Sequence, residues 1–356
     1  MDLRYSKLKV FHYPEKLASL ARESDEIRPP IHVRIKPTNV CAHHCWYCAY
    51  RYDDLQLGKD IDLREVIPRD KMMEIIDDLI EMGVQAVTFS GGGDPFYYPH
   101  LAETARKLAD SPIRFASLTN GARLEGEKAE IFSQHASWVR ISIDGWDPVS
   151  YAKYRGVKET EFDRVLNNMR NFTALKGQCR LGISLIVDKD NAAHVHQQVA
   201  MAKSVGAASI KVSPAIVSDH GLDNNEYHAP FFDEVHAQIM QAKEDFEKDG
   251  FEVYHAYHRQ DVVFDKEYHW CPYLQILCVI GADQRVYACQ DKAYNLDSGL
   301  LGSIQETRFK DFWMNNKDKF FGINPARHCN HHCVADSKNK LVLEYLGAGA
   351  EHGEFV

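Results

Sequence analysis

The sequence predicts an α/β protein: six βα units forming a parallel sheet, followed by a smaller, cysteine-rich C-terminal domain. Three observations carry this. From about residue 31 to residue 213, short β-rich apolar runs alternate with amphipathic helical stretches, the pattern of parallel strands joined by right-handed crossovers. Beyond residue 250 the alternation stops, and five of the nine cysteines fall in the remaining segment. The 356 residues are enough for a domain of roughly 200 to 250 residues with a smaller appendage.

The expected strands are IHVRIK (31–36), AVTFS (86–90), RFASLT (114–119), WVRISID (138–144), LGISLIV (181–187) and SIKVS (209–213). The helices between them begin near Pro68, Pro99, Glu125, Pro148 and Asn191. RDKMMEIIDDLIEMG, from Arg69, shows apolar residues at helical spacing and closes on a glycine, the usual C-terminal stop. A sixth helix covers 229–250, and after it comes YHAYHRQDVVFDKEYHW, crowded with tyrosine and histidine. Six units fit an open doubly wound sheet or a partial barrel. In both, ligands gather at the carboxyl ends of the strands.

Composition narrows the function. The chain is 45% hydrophobic and 26% charged, with no low-complexity tract, as in globular proteins. Its net charge of -9 is spread along the chain without a Lys/Arg run, which argues against a nucleic-acid partner. No apolar run approaches the roughly 20 residues that span a bilayer, and MDLRYSKLKVFHYPEKL at the N-terminus lacks an apolar signal region. A cytoplasmic location without membrane contact is expected. In that compartment thiols stay reduced, so cysteines clustered near both ends point to metal ligation rather than disulfides.

CAHHCWYC, residues 41–48, places Cys41, Cys45 and Cys48 on the loop after the first strand. Structural zinc normally takes four donors, which His43 or His44 could complete. A thioredoxin-type pair accounts for Cys45 and Cys48 but leaves Cys41 without a purpose. Three thiolates on a cubane iron-sulfur cluster leave one iron open to a substrate or cofactor.

With CxxxCxxC in this position and Tyr47 just before the last cysteine, the chain from about Ile31 to Pro214 resembles the radical S-adenosylmethionine superfamily. The resemblance implies a partial (β/α)6 TIM-like barrel over 31–250, preceded by a short N-terminal extension, 1–30. It also implies that Cys41, Cys45 and Cys48 hold a [4Fe-4S] cluster whose open iron chelates S-adenosylmethionine. An electron from a donor such as flavodoxin or ferredoxin would then cleave the sulfonium to a 5'-deoxyadenosyl radical, which the protein aims at one C–H bond.

Further motifs agree in order. SGGGDP (90–95) ends the second strand where the family has its GGE motif, implying that Gly91, Gly92 and Gly93 bring backbone carbonyls to the methionine amino group. Asp94 stands in the acid position, one carbon shorter than Glu. TNG (119–121) and SID (142–144) end the third and fourth strands, implying cofactor contacts from Asn120, Ser142 and Asp144. Ser184 on the fifth strand is a further ribose contact by the same resemblance. Arg155, in YRG, is read as a partner for the cofactor carboxylate or a substrate acid, or as a solvated surface arginine. Each short motif taken singly also reads as turn chemistry.

The C-terminal cysteines are Cys271, Cys278, Cys289, Cys329 and Cys333. CVIGADQRVYAC reads as a β-hairpin turning at Ala282 to Arg285, TRFKDFW as a short helix, and HHCVADSKNKLVLEYL as an amphipathic helix. Small segments of this kind are commonly stapled by metal. The order resembles the auxiliary-cluster domain of the SPASM and Twitch branch, here over 251–356. That resemblance implies a second [4Fe-4S] cluster on Cys271, Cys289, Cys329 and Cys333, although the closing pair is CxxxC where the branch has CxxC. Cys278 is left over, as an alternative ligand, a hydrogen-atom donor, or a small buried hydrophobe. His331 and His332 are expected as surface histidines beside the cluster, and Cys179 as structural.

The expected substrate is small and polar: a sugar, nucleotide sugar or polyol, undergoing oxidation or epimerisation. Only about forty residues precede Cys41, which argues against a peptide-recognition domain there. The loops after strands five and six and the tyrosine- and histidine-rich segment (Tyr254, His255, Tyr257, His258, Arg259) are the candidate contacts. Two alternatives stay open: a peptide or protein maturase of the same superfamily, and a non-enzymatic metal-binding protein.

Overall fold

The computed structural model describes residues 6–51, 58–348 and 351. Its strands are β1 (His32–Ile35), β2 (Ala86–Phe89), β3 (Arg114–Thr119), β4 (Trp138–Ser142), β5 (Arg180–Val187), β6 (Ser209–Pro214), β7 (Glu252–His255), β8 (Leu277–Ile280), β9 (Arg285–Tyr287) and β10 (Leu300–Ser303). They form one sheet in the order β10-β9-β8-β1-β2-β3-β4-β5-β6-β7. From β1 to β7 every neighbour is parallel, and helices fill the crossovers, so the expected α/β fold with a partial TIM-like barrel is present.

The helices end where local chemistry stops them. Arg69–Met82 follows Pro68, buries Met72, Ile75, Ile76 and Leu79, and closes on Gly83 in the left-handed region, which costs glycine little. Pro148–Arg155 opens with a reciprocal Asp147–Ser150 capping box and a first-turn proline, and closes on left-handed Gly156. This short helix fixes where Arg155 emerges.

The sheet does not stop at residue 250. β7 lies in the tyrosine- and histidine-rich segment and pairs with β6, Val253 facing Ile210. Its side chains are mostly polar and only Val253 is buried, so it carries no apolar run to betray a strand. β8 pairs parallel with the free edge of β1, His32 facing Leu277 and Ile35 facing Ile280. The expected hairpin, β8 with β9, is therefore welded onto the first barrel strand, and β10, which sequence reasoning missed, extends it antiparallel.

One continuous core runs from the barrel into the C-terminal segment, taking in Cys278, Val286, Phe309, Trp313 and Phe320. Trp313 is fully buried, packs in tilted ring contacts with Phe309 and Phe320 and donates Nε1–H to the Arg28 carbonyl at 3.0 Å. It thereby ties the N-terminal segment to the C-terminal one. Trp313→Ala should cost about 3–5 kcal/mol, and Trp313→Phe, which keeps the ring and loses the hydrogen bond, distinctly less. Urea unfolding midpoints of the two variants check this.

Candidate functional site

The loop after β1 is held by the loop after β2. Gly93 N–H donates to the Thr38 carbonyl at 3.1 Å and Asp94 N–H to the Val40 carbonyl at 3.0 Å. A side chain at Gly93 would start 2.2 Å from the Val40 carbonyl oxygen, and one at Gly92 2.1 Å from Asn39 Oδ1. The glycines are thus required for one backbone to lie against the other, just ahead of Cys41.

The Asp94 carboxylate accepts from Phe96 N–H at 2.9 Å, the Thr119 hydroxyl at 2.9 Å and Asn120 N–H at 2.5 Å. It straps the β3 end to the glycine loop, and its oxygens are consumed by protein donors. Asn120, placed by that strap, points Nδ2–H at Cys41 Sγ across 3.6 Å.

Asp144 differs from expectation. It is fully buried and does not line the cavity. Oδ1 accepts Ile186 N–H at 2.8 Å, while Oδ2 accepts the Tyr47 hydroxyl and Arg155 Nη2–H, the latter at 2.5 Å. Nor is Arg155 a surface residue: it is 3% exposed and directs Nη1–H at Cys45 Sγ, 3.4 Å away. Its carbonyl accepts His44 N–H at 2.7 Å. Burial works against its charge, but Asp144, Tyr47 and Cys45 outweigh it and hold Arg155 well above the ordinary arginine range. Asp144 therefore serves by positioning Tyr47 and Arg155.

These loops enclose a cavity of about 450 Å³ at the carboxyl ends of the strands. Cys41, Cys45 and Cys48 line it together with Gly91, Gly92, Gly93 and Asn120, as do Ser142 and Ser184, which are paired across β4 and β5. Asp219 after β6 and Asp291, His331 and His332 from the C-terminal segment line it as well. His331 is 2% exposed, so the expectation of two surface histidines fails. The residues from Tyr254 to Arg259 do not line this cavity. Tyr254 lies at the opposite end of the strands, beside Trp138 and Ser209. His255 meets His236 at 2.9 Å, and buried Tyr257 meets His228 at 2.9 Å. His258 and Arg259 border a separate small pocket.

A second cavity, of about 110 Å³, is lined by Cys271, Cys289, Cys329 and Cys333 together. Asn339 from the C-terminal helix Asp336–Gly347 donates Nδ2–H to Cys271 Sγ at 3.2 Å. Cys278 lines neither cavity. It is fully buried on β8 opposite Val33 of β1, and its expected alternatives as ligand or hydrogen donor have no geometric support. The two cavities share a wall: His331 borders both, and Gln290 of the second neighbours Asp291 of the first. Within that wall fully buried Lys36 donates to Tyr50, Gly91 and Gln290.

Sequence reasoning missed Lys36, Asp219, Asp291 and Asn339. Only for Lys36 was there a signal: in IHVRIK, Arg34 and Lys36 recur at the two-residue period that puts both on one face of the strand.

The donor sets fit thiolate-bound clusters. Burial pushes Cys41 and Cys271 up to about 11 and Cys333 to about 12, so these thiols stay protonated until a metal cation displaces the proton. Among the described residues no group of three or more His, Cys, Asp or Glu side chains is placed to hold a single metal ion; the thiols line the two cavities. Amide and guanidinium hydrogens already reach Cys41, Cys45 and Cys271, as suits sulfur that carries negative charge.

The buried ion pair can be tested apart from any cofactor. Arg155→Met, which strands the Asp144 carboxylate, should destabilise the protein by about 3–5 kcal/mol. Adding Asp144→Asn should restore a substantial part, because a neutral amide needs no counter-charge. Urea unfolding of wild type, both single variants and the double variant measures this, and additive losses would show that the two residues are uncoupled.

Residues 35–197 match the family model described as Radical SAM superfamily. The chain is 25% identical over 152 residues to the S-adenosylmethionine-dependent nucleotide dehydratase of Flammeovirga pacifica, covering 42% of this chain and 51% of that protein. It is 21% identical over 235 residues to the PqqA peptide cyclase of Gluconobacter oxydans, covering 64% and 63%. The matched segments thus span less than two thirds of either relative. Among solved structures, SuiB of Streptococcus suis superposes with a TM-score of 0.63 at 13% identity, covering 88% of this chain and 71% of SuiB, a likeness of fold. The strand-end cavity, its three cysteines and the match of residues 35–197 to the Radical SAM superfamily model agree with one another.

Proposed function

We propose that this protein is a radical SAM enzyme that abstracts hydrogen from a small polar substrate and leads it to oxidation or epimerisation. The observation that carries the reading is one cavity lined by Cys41, Cys45 and Cys48 together with the glycine loop, Asn120, Ser142 and Ser184. A [4Fe-4S] cluster bound there supplies an open iron for S-adenosylmethionine and the electron that cleaves it to a 5'-deoxyadenosyl radical.

The chain's own residues bind and orient. Lys36 pins the Gly91 carbonyl at 2.7 Å, and Asp94 fixes Asn120, so the methionine end of the cofactor meets a rigid backbone rather than a mobile loop. Ser142 and Ser184 offer hydroxyls to the ribose. Arg155 and Asn120 donate to cysteine sulfur and hold the loop geometry. Cys271, Cys289, Cys329 and Cys333 would hold an auxiliary [4Fe-4S] cluster with no open iron, suited to passing an electron, and flavodoxin or ferredoxin would be the external donor.

Asp219, Asp291, His331 and His332 line the same cavity, and their hydrogen-bonding groups suit a hydroxyl-rich sugar, nucleotide sugar or polyol. The nucleotide dehydratase among the relatives is in keeping with this. A peptide substrate is the second reading, favoured by the match to the PqqA peptide cyclase over 235 residues.

The test is anaerobic reconstitution with iron counting. A cubane carries about four irons, so wild type should hold about eight per chain, and the Cys41/Cys45/Cys48→Ala variant about four. The Cys271/Cys289/Cys329/Cys333→Ala variant should also hold about four. Only proteins retaining the first trio should form 5'-deoxyadenosine from S-adenosylmethionine under dithionite. Stimulation by sugars or nucleotide sugars supports the first reading, and stimulation by a precursor peptide the second. Zinc in place of iron, with no 5'-deoxyadenosine, would leave a non-enzymatic metal-binding protein.

A further inference from the structure

Two cations, Arg34 on β1 and Lys36 one residue past its end, have no carboxylate partner among the described residues. Lys36 is fully buried, and its ammonium donates to Tyr50 Oη at 2.6 Å, the Gly91 carbonyl at 2.7 Å and Gln290 Oε1 at 3.1 Å. Arg34, on the same face of the strand, donates from Nη1 to the same Gln290 oxygen at 3.0 Å. Its Nε is sealed from solvent with no hydrogen-bond partner. Every acceptor among the described residues is neutral. Asp291 acts on both cations from a distance but forms no ion pair with either. A cation withdrawn from water is expensive unless an anion compensates it.

The two cysteine cavities flank this pair. Arg34 and Gln290 line the four-thiol cavity. Tyr50 and Gly91, the partners of Lys36, line the three-thiol cavity. Arg34, Gln290, Lys36 and Tyr50 therefore make a continuous hydrogen-bonded bridge through the wall, and Arg34 and Lys36, whose charged forms burial disfavours, sit where thiolate-bound clusters would put compensating negative charge.

Resting on the cluster assignment above, we propose that Arg34 and Lys36 are counter-charges shared by the two sites, and that Arg34 raises the reduction potential of the four-thiolate cluster. A fixed cation favours the state holding one more electron, here delivered by the flavodoxin or ferredoxin donor. Arg34 is then a positioning residue for charge, without contact to substrate.

The experiment uses the full-length chain with Cys41, Cys45 and Cys48 changed to Ala, reconstituted anaerobically so that one cluster is observed alone. Iron per chain and the potential from an EPR-monitored redox titration are measured for Arg34→Met, Arg34→Lys and Lys36→Met. Arg34→Met should shift the potential negative enough to change the reduced-to-oxidised ratio at a fixed poise at least tenfold, about 59 mV for one electron. Arg34→Lys, which keeps the charge, should shift it far less, and Lys36→Met should shift it negative by less than Arg34→Met. Iron lost in Arg34→Met but kept in Arg34→Lys would support the same role through affinity. An unchanged potential in iron-loaded Arg34→Met, or equal shifts for Met and Lys, overturns the proposal for Arg34. An unchanged potential in Lys36→Met overturns the sharing. A background protein without iron overturns the cluster assignment itself, which the iron count separates from the other outcomes.

Discussion

The pairing of β1 on both of its edges is the constraint on which the two cysteine cavities depend. β2 lies on one side and β8 on the other, both parallel and both in register along the whole strand. The loop after β1 carries the first three cysteines, the loop after β2 carries the glycines, and the chain returning from β9 carries Cys289 and Gln290. Because side chains alternate with a period of two, a slip of one residue would turn Arg34 and Lys36 away and bring Val33 and Ile35 to the cavities. Lys36 N–H on the Ile280 carbonyl at 2.8 Å and Ser90 N–H on the Ile35 carbonyl at 3.0 Å extend the lock one step past the strand.

The same double pairing explains why the C-terminal segment is not a loosely attached module. Tyr294, buried, donates its hydroxyl hydrogen to Asn39 Oδ1 at 2.6 Å, two residues before Cys41. Asn39 in turn is the residue against which Gly92 packs. A disturbance of the C-terminal cysteines therefore reaches the first cysteine loop through packed contacts, with no need for motion of one domain against another.

What the sequence revealed follows from the kind of signal each feature leaves. The six barrel strands were legible because each is an apolar, β-rich run bounded by turn residues, and the three cysteines because their spacing is rare. β7 and β10 were not, because β7 is a short edge strand with mostly polar side chains and β10, LLGS, is only four residues long and carries a glycine, so neither has a pattern to distinguish it from loop. Side-chain direction was the larger blind spot. Asp94 and Asp144 stand at strand ends, as a cofactor contact should, yet both turn into the protein and spend their oxygens on backbone and side-chain donors. His331 stands between two cysteines in a polar stretch, as a surface residue would, yet packing closes over it. A linear pattern gives position along the chain, whereas these outcomes depend on which donor from a distant segment arrives first.

The two cavities differ in a way that bears on their division of labour. Three thiols open onto about 450 Å³ shared with serine, asparagine, aspartate and histidine side chains; four thiols enclose about 110 Å³ with little polar company beyond Arg34, Gln290, Lys292, Lys338, His331 and Asn339. Chemistry on a substrate needs room, and the first cavity is the larger of the two. The second offers burial, four cysteine side chains and a neighbouring cation, and under the proposed assignment those are the levers by which a protein sets the potential of an iron-sulfur centre. Placing both on the loops around one doubly paired strand keeps the separation between them fixed by backbone hydrogen bonds, so that the charge at one site is felt at the other through Gln290 and Lys36 rather than through solvent.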